Sequence, residues 1–358
     1  MKKHNFSAGP SILPTEVFEK AAAAVLNLNN TGLSILEISH RSKEFVAIME
    51  EARALVLELL NLENKGYQVL FLQGGASLEF LRVPQNLMQV GGKAAFLDTG
   101  VWANGAMKVA QDFGETVIVA SSKPKNYNYI PTDYTIPTDA DYFHCTSNNT
   151  IYGTQMKTFP STKAPVVCDM SSDIFSRSMD YSKFDLIYAG AQKNMGPAGT
   201  TLIIVKEAIL GKNNRTIPNI LNYQQHIAKE SMYNTPPVFA IYTSLLTLQW
   251  LKSKGGIAGI EKLNETKANL LYTEIDRNPY FEGVANKADR SLMNVTFTLA
   301  NPEHKETFDQ LWQSANISGL NGHRSVGGYR ASIYNAMPIE SVEVLVATMQ
   351  EFEKRIIN

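Results

Sequence analysis

Cysteine is nearly absent from this chain. Its 358 residues include two, Cys145 and Cys168, in no C-x-x-C pair, which argues against a disulfide framework or a cysteine zinc site. Net charge is almost absent too. The 33 Lys and Arg against 34 Asp and Glu leave −1, with no basic run, so neither nucleic acid nor a membrane surface is an expected partner. The nearest apolar run, residues 21–28, is far too short to span a bilayer, and the first seven residues lack an apolar signal core. A cytoplasmic location is the expectation. G-x-G-x-x-G, Walker A, H-E-x-x-H and G-x-S-x-G patterns are all missing, which argues against nucleotide-dependent, zincin and α/β-hydrolase chemistry. No metal site is expected.

What the chain does hold is apolar sequence, 44% of its residues, enough for one large or two ordinary domains with a sizeable core. Residues 11–28 read as a helix, with Pro14 in its first turn and Val17, Phe18, Ala21, Ala24, Val25 and Leu28 on one face. Residues 42–62 read as a second, with Ser42 as N-cap. Strand runs at 67–73, 94–98, 116–120, 141–145, 166–169, 186–189 and 201–205 then alternate with helices at 77–89, interrupted by Pro84, and 102–112; a long apolar helix covers 236–252. Such runs predict an α/β fold, a mostly parallel sheet covered by helices. After Lys254-Gly255-Gly256 the pattern changes: helix 257–277, an alternating strand at 291–298, helix 304–314, a glycine-rich stretch at 319–328, a strand at 329–333 and helix 339–357. This predicts a smaller α+β domain at 257–358, a large domain at 16–256, and an N-terminal segment, 1–15, packing near the small domain and the active site.

Four features can carry chemistry around one lysine. Lys193 sits among small residues between two strand runs. It is either a solvated turn lysine or a desolvated amine of lowered pKa able to form a Schiff base. Gln73-Gly74-Gly75-Ala76-Ser77 follows a strand and opens a helix, so it is a plain turn or an anion cup. Asp169 ends an apolar strand 24 residues before Lys193; it caps the next helix or pairs with a buried cation at the sheet's C-terminal edge. Trp102 follows another strand and either fills core or stacks on a planar ligand. His40-Arg41, His323-Arg324 and Arg330 lie in loops, scattered on the surface or gathered on a small anionic ligand. A nucleophilic lysine, an acidic partner for a ring nitrogen and a phosphate cup together are what pyridoxal phosphate requires.

Longer blocks carry a resemblance: Asn5 to Pro10, Ile38 to Phe45, Phe71 to Gly75, Ser147 to Gly153, Asp169 to Ser172, Gly190 to Gly199, Tyr233 to Pro237 and Gly322 to Met337. Along essentially its whole length the chain resembles the phosphoserine aminotransferases, fold-type I enzymes of pyridoxal 5'-phosphate. The resemblance implies that Lys193 holds the cofactor and shuttles a proton, Asp169 pairs with its ring nitrogen, Trp102 stacks on the ring and Thr150 bonds near its phenolic oxygen. It implies that Ala76, Ser77 and Gln192 bind the cofactor phosphate, with Asn234 and Thr235 reaching in from a second subunit of a homodimer. Arg330 would grip the substrate α-carboxylate. His40 and Arg41, with His323 and Arg324 of the other subunit, would hold the substrate's phosphate or glutamate's distal carboxylate. The implied reaction is 3-phosphohydroxypyruvate plus glutamate giving phosphoserine plus 2-oxoglutarate, in serine biosynthesis, with 4-phosphohydroxythreonine as a further candidate substrate.

The chain departs from many relatives at Ser77, where they carry an arginine. Arg82, further along the same helix, either compensates or serves the surface. The alternatives are a lyase of the cysteine desulfurase kind and a non-catalytic cofactor-binding protein. The first needs a mobile cysteine, whereas Cys145 and Cys168 lie in apolar strand runs. The second predicts loss of Lys193 or Arg330, and both are present.

Overall fold

The computed structural model describes residues 3–324 and 326–357; Met1, Lys2, Ser325 and Asn358 lie outside the described residues, so the glycine-rich stretch is described except at Ser325. In chain order it forms β1 (His4–Asn5), α1 (Thr15–Leu26), α2 (Lys43–Leu59), β2 (Tyr67–Leu72), α3 (Gly75–Leu87), β3 (Lys93–Asp98), α4 (Val101–Ala110) and β4 (Glu115–Ser121). There follow β5 (Tyr142–Thr146), β6 (Asn148–Asn149), β7 (Thr154–Gln155), β8 (Val166–Asp169), β9 (Leu186–Gly190), β10 (Thr201–Lys206), α5 (Tyr223–Ala228), α6 (Val238–Ser253) and α7 (Gly256–Arg277). The rest is β11 (Phe281–Gly283), β12 (Asn294–Leu299), α8 (Lys305–Ser314), β13 (Ile317–Ser318), β14 (Tyr329–Ser332) and α9 (Ile339–Ile357).

The central sheet has seven strands in the order β2-β10-β9-β8-β5-β3-β4. Pairs β3–β4, β3–β5, β5–β8 and β8–β9 are parallel, and β10 runs antiparallel to both its neighbours. All of its strands except the partly exposed edge strand β4 are buried on both faces, as continuous apolar runs require. One face packs on α1, α2 and α6 through Ile187, Ala189, Ile204, Phe45, Met49, Ile241 and Leu245. The other packs on α3 and α4 through Leu70, Phe96, Tyr188, Ile203, Phe80 and Met107.

A separate core joins α7, α8 and α9 to the antiparallel sheet β11-β12-β14. It takes in Phe6 and Ile12 from the N-terminal segment, because β1 pairs with β13. The short strands β1, β11 and β13 have no sequence period to betray them. Phe308 is fully buried at the centre of this core, 5.0 Å from the ring of Phe281, 4.9 Å from Tyr329 and 5.3 Å from Phe352.

Two sequence expectations need correction. Pro84 does not interrupt α3. Its missing N–H removes one bond, but Met88 N–H still donates to the Pro84 carbonyl at 3.0 Å. Burial of Phe80, Val83, Pro84 and Leu87 outweighs a local cost of about 3 kcal/mol. The first helix begins at Thr15 rather than at residue 11; the preceding residues are extended and lie against the Lys193 turn, where Ser11 N–H donates to the Gln192 carbonyl at 2.9 Å.

Because Phe308 fills a gap no neighbour can reach, Phe308→Ala should cost about 3–5 kcal/mol in chemical denaturation. Leu26→Ala, at a side chain 84% exposed on α1, should stay within about 0.5 kcal/mol.

Candidate active site

A cavity of about 310 Å³ opens at the C-terminal edge of the central sheet. Each of five strands delivers one part of it. β2 leads to Gly75, Ala76 and Ser77, and β3 to Trp102; β5 leads to Thr146, Asn148, Thr150 and Ile151, β8 to Asp169, Ser171 and Ser172, and β9 to Gln192 and Lys193. Ala8 and Gly9 of the N-terminal segment and His323 and Arg330 from around β14 close it. Open parallel sheets place ligands in this position.

Lys193 is not a solvated turn residue. Its Nζ donates to Thr150 Oγ1 at 2.9 Å. Burial pushes its pKa down to about 8; the Asp169 carboxylate opposes that and the Arg330 guanidinium reinforces it. Its backbone is fixed by Ser11, whose Oγ donates to the Lys193 carbonyl at 2.5 Å. Gly9 is packed so close that a Cβ there would stand 3.3 Å from Lys193 Cγ, and its φ is +150°.

Asp169 is 5% exposed, and burial holds its pKa above the ordinary carboxylate value, with the Lys193 charge opposing. Its Oδ1 accepts from Ser171 N–H at 2.9 Å, an Asx turn; turns rather than an α-helix follow it. A buried carboxylate facing a cavity suits a cationic ring nitrogen. At the start of α3, Gly74 has φ +113°, and a Cβ there would stand 2.4 Å from Leu78 Cδ2. The glycine lets the chain turn so that the first amides of α3 face the cavity, which suits a phosphate. Trp102 is 38% exposed in the first turn of α4 and lines the cavity instead of filling core.

Arg330 is half-buried and lines the same cavity. Burial lowers its pKa, and its Nε has no hydrogen-bond partner among the described residues. A desolvated guanidinium with an unspent donor is a receptor for a carboxylate or phosphate.

Not every expected residue is brought here. His40, Arg41, Asn234, Thr235 and Arg324 lie outside this chain's cavity. For Asn234 and Thr235 that accords with a role in a second subunit's site. His323 lines the cavity of its own chain. The reason is local, since Gly322 N–H donates to the Gly328 carbonyl at 2.9 Å and Asn321 bridges Tyr329, folding the stretch back beside Arg330. Arg82 neither compensates for Ser77 nor serves the surface. It is 3% exposed and bound to Glu79 and to the Gln73 carbonyl. Ala8, Gly9, Asn148, Ser171 and Ser172 were not singled out from the sequence as site residues. Short polar and small residues directly after strand ends were the available signal.

Cys145 and Cys168 are free and fully buried, so neither can serve as a mobile nucleophile. Among the described residues no cluster of His, Cys, Asp and Glu could hold a metal ion, and no helix is long and apolar enough to cross a membrane.

An open α/β sheet with a desolvated lysine and a buried aspartate at adjacent strand ends defines an aminotransferase of the pyridoxal-phosphate kind, and the chain belongs to the class-V aminotransferases, whose family model matches residues 3–345. Within that family its relatives are phosphoserine aminotransferases. The chain is 73% identical to the enzyme of Flavobacterium johnsoniae over 99% of this chain and 100% of that one. It superposes on the phosphoserine aminotransferase of Bacillus circulans subsp. alkalophilus with TM-score 0.96 and 44% identity, covering 99% of each chain. The PLP-bound enzyme of Trichomonas vaginalis gives 0.92 and 35%, covering 98% of this chain and 100% of that one.

In the cofactor-free chain the Lys193 amine becomes reactive as it loses its proton, so reductive alkylation of Nζ by a small aldehyde should rise with pH around a midpoint of about 8, well below that of surface lysines. Asp169→Asn removes the charge that favours the ammonium and should move the midpoint down. Arg330→Gln removes a repelling cation and should move it up. Peptide mapping of the alkylated lysine across a pH series reads all three.

Proposed function

We propose that this chain interconverts 3-phosphohydroxypyruvate plus L-glutamate and O-phospho-L-serine plus 2-oxoglutarate, with pyridoxal 5'-phosphate as cofactor, in L-serine biosynthesis. The observation that carries the reading is Arg330, with its unpartnered Nε, lining one cavity with Lys193, Asp169 and the start of α3. The reading is also supported by relatives of high identity that carry this activity in their name. The residues suit the cofactor: a phosphate fits the amides at Ala76 and Ser77 together with Gln192, a ring fits against Trp102, and a ring nitrogen fits Asp169. When bound, the cofactor supplies an aldehyde that condenses with amines and a ring that draws electrons from the substrate Cα.

The chain's own residues do the rest. Lys193 Nζ would hold the cofactor and, as a free amine, would take the proton from the substrate Cα. Its lowered pKa keeps a usable share of that amine near neutral pH, and Thr150 Oγ1 orients it. Asp169, held in place by Ser171 N–H, would keep a proton on the ring nitrogen. Arg330 binds the α-carboxylate and so fixes which Cα substituent meets Lys193. His40 and Arg41, with Arg324, take the substrate's phosphate or the distal carboxylate of glutamate. His40 Nε2 is buried with no partner among the described residues, which supports a ligand or a second subunit there. The chain works as a homodimer, with Asn234 and Thr235 completing the partner's phosphate site. Residues 16–256 form the cofactor domain, 257–358 the small domain, and 1–15 a strap between them; the N-terminal Phe6 and Ile12 in the second core favour that division.

Borohydride reduction of the loaded protein, followed by peptide mapping, should label Lys193, and Lys193→Ala should abolish the visible band; label on another lysine defeats the assignment. With 2-oxoglutarate as acceptor, phosphoserine should far outpace serine and alanine. Arg330→Ala should cost on the order of 2–5 kcal/mol in kcat/KM for every donor. Arg41→Ala and Arg324→Ala should cost that much for phosphoserine and far less for alanine. Equal rates for serine and phosphoserine would overturn the phosphate pocket.

A further inference from the structure

Arg82 and the residues around it form a buried assembly that the chemistry above does not use. Glu79 is fully buried, and its Oε1 accepts from Arg82 NH1 at 2.6 Å. Its Oε2 accepts from the fully buried Tyr223 OH at 2.5 Å. Arg82 NH1 also donates to the backbone carbonyl of Gln73 at 2.9 Å. Further along α3, Asn86 Oδ1 accepts from Tyr223 N–H at 3.0 Å, and its Nδ2 donates to the Leu221 carbonyl at 2.8 Å. The start of α5 and the middle of α3 are thereby locked together beneath the β2–α3 turn. Arg82 NH1 is committed to Glu79 and to one carbonyl of that turn.

Gln73 is where this lock meets the site. Its carbonyl takes the Arg82 bond, and the next residues, Gly74 to Ser77, make the anion-binding turn. Its side chain leaves in another direction: Nε2 donates to the carbonyl of Thr235 at 2.8 Å. Asn234 and Thr235 do not line their own chain's cavity. A glycine turn, φ +113° at Gly74 and +65° at Gly75, and a segment outside any helix or strand thus share one support.

We propose that Gln73 is a positioning residue that ties the phosphate-binding turn of one active site to the Asn234–Thr235 segment that completes the other. It rests on the reading above that the sites are shared in a homodimer. The grip on the cofactor phosphate in one subunit then depends on Gln73 in both: directly through its own turn, and across the dimer through the segment Gln73 anchors in the partner. Arg82 supplies the fixed end of the tie, with Glu79 and Tyr223 holding the guanidinium in place.

The test is the rate at which purified holoenzyme releases pyridoxal phosphate on dilution, followed by loss of the visible band of the lysine-bound cofactor. Gln73→Met keeps length and removes the donor, and should speed release about five-fold, the loss of one net hydrogen bond, with kcat at saturating cofactor unchanged within about two-fold. Gln73→Leu serves as a second variant. Gln85→Met removes a comparable bond further along, on α3, Nε2 to the Thr216 carbonyl at 3.0 Å, away from the site, and should leave release unchanged. The cross-subunit part is read in a mixed dimer. One subunit is wild type, and the other carries Lys193→Ala with Gln73→Met. The wild-type subunit should release its cofactor faster than when its partner carries Lys193→Ala alone. Equal release in the two mixed dimers, or an equal effect from Gln85→Met, overturns the tie. Failure of the functional reading looks different: wild-type protein that takes up no lysine-bound cofactor at all.

Discussion

The structure depends on keeping an amine and a carboxylate in one cavity without letting them neutralise each other. Lys193 and Asp169 are near enough that each opposes the other's burial shift, yet each spends its hydrogen bond elsewhere, on Thr150 and on Ser171 N–H. Parallel strands make that separation possible. In the β8–β9 pairing Asp169 stands opposite Tyr188, so the aspartate stops at the sheet edge while the chain runs on through Gly190 to carry Lys193 beyond it. A direct contact would restore the ammonium and quench the nucleophile. A greater distance would leave two unpaired buried charges, which costs several kcal/mol.

Holding that geometry falls to buried polar groups that bridge the two cores. Asn148 donates to Ser172 Oγ at 2.9 Å and to Asn294 Oδ1 at 2.7 Å, and Asn294 donates to Ser332 Oγ at 3.0 Å and Tyr334 OH at 3.2 Å. Tyr334 OH donates to the Ala8 carbonyl at 2.7 Å. Lys267, 2% exposed, closes the far side by donating to the carbonyls of Ile333 and Tyr334. These bonds fix β14, and with it Arg330, against the strand ends that carry Asp169 and Asn148. A buried network of this kind rigidifies when its members are satisfied. Arg330 and the N-terminal wall of the cavity therefore share one support.

The parallel sheet was legible because its strands are continuous apolar runs of strand length separated by helical periods. Lys193, Asp169, Trp102 and the Gly74-Gly75 turn were legible because each follows such a run and so must emerge at one edge. Direction was not legible: β10 is as apolar as its neighbours, and nothing in Thr201 to Lys206 says that it runs against them. Nor was Arg82. An arginine on a helix reads as charge offered to solvent or ligand; only folding shows Glu79 and Tyr223 arriving from the same helix and from α5 to consume it. Pro84 misled for the converse reason, since a local propensity was overruled by burial. His323 stands beside Arg330 because of two backbone contacts across a glycine-rich stretch, a pairing with no hydrophobic pattern to announce it.

Charge counting bears on the proposed sharing of sites between two chains. A cofactor phosphate and a substrate phosphate each bring a charge of about −2, and the substrate adds a carboxylate. Against these, one chain's cavity offers Lys193, Arg330 and His323, with Asp169 subtracting. His323 adds little near neutral pH, because burial and the charges of Arg330 and Arg324 push its pKa down. Serine at position 77 leaves that deficit in place, and Arg82 is already neutralised by Glu79. An anionic substrate held with so few cations would remain largely uncompensated in a partly desolvated site. Arg41, exposed on a loop outside that cavity, is a cation of the right kind, and the charge deficit supports the proposed sharing of sites between two subunits.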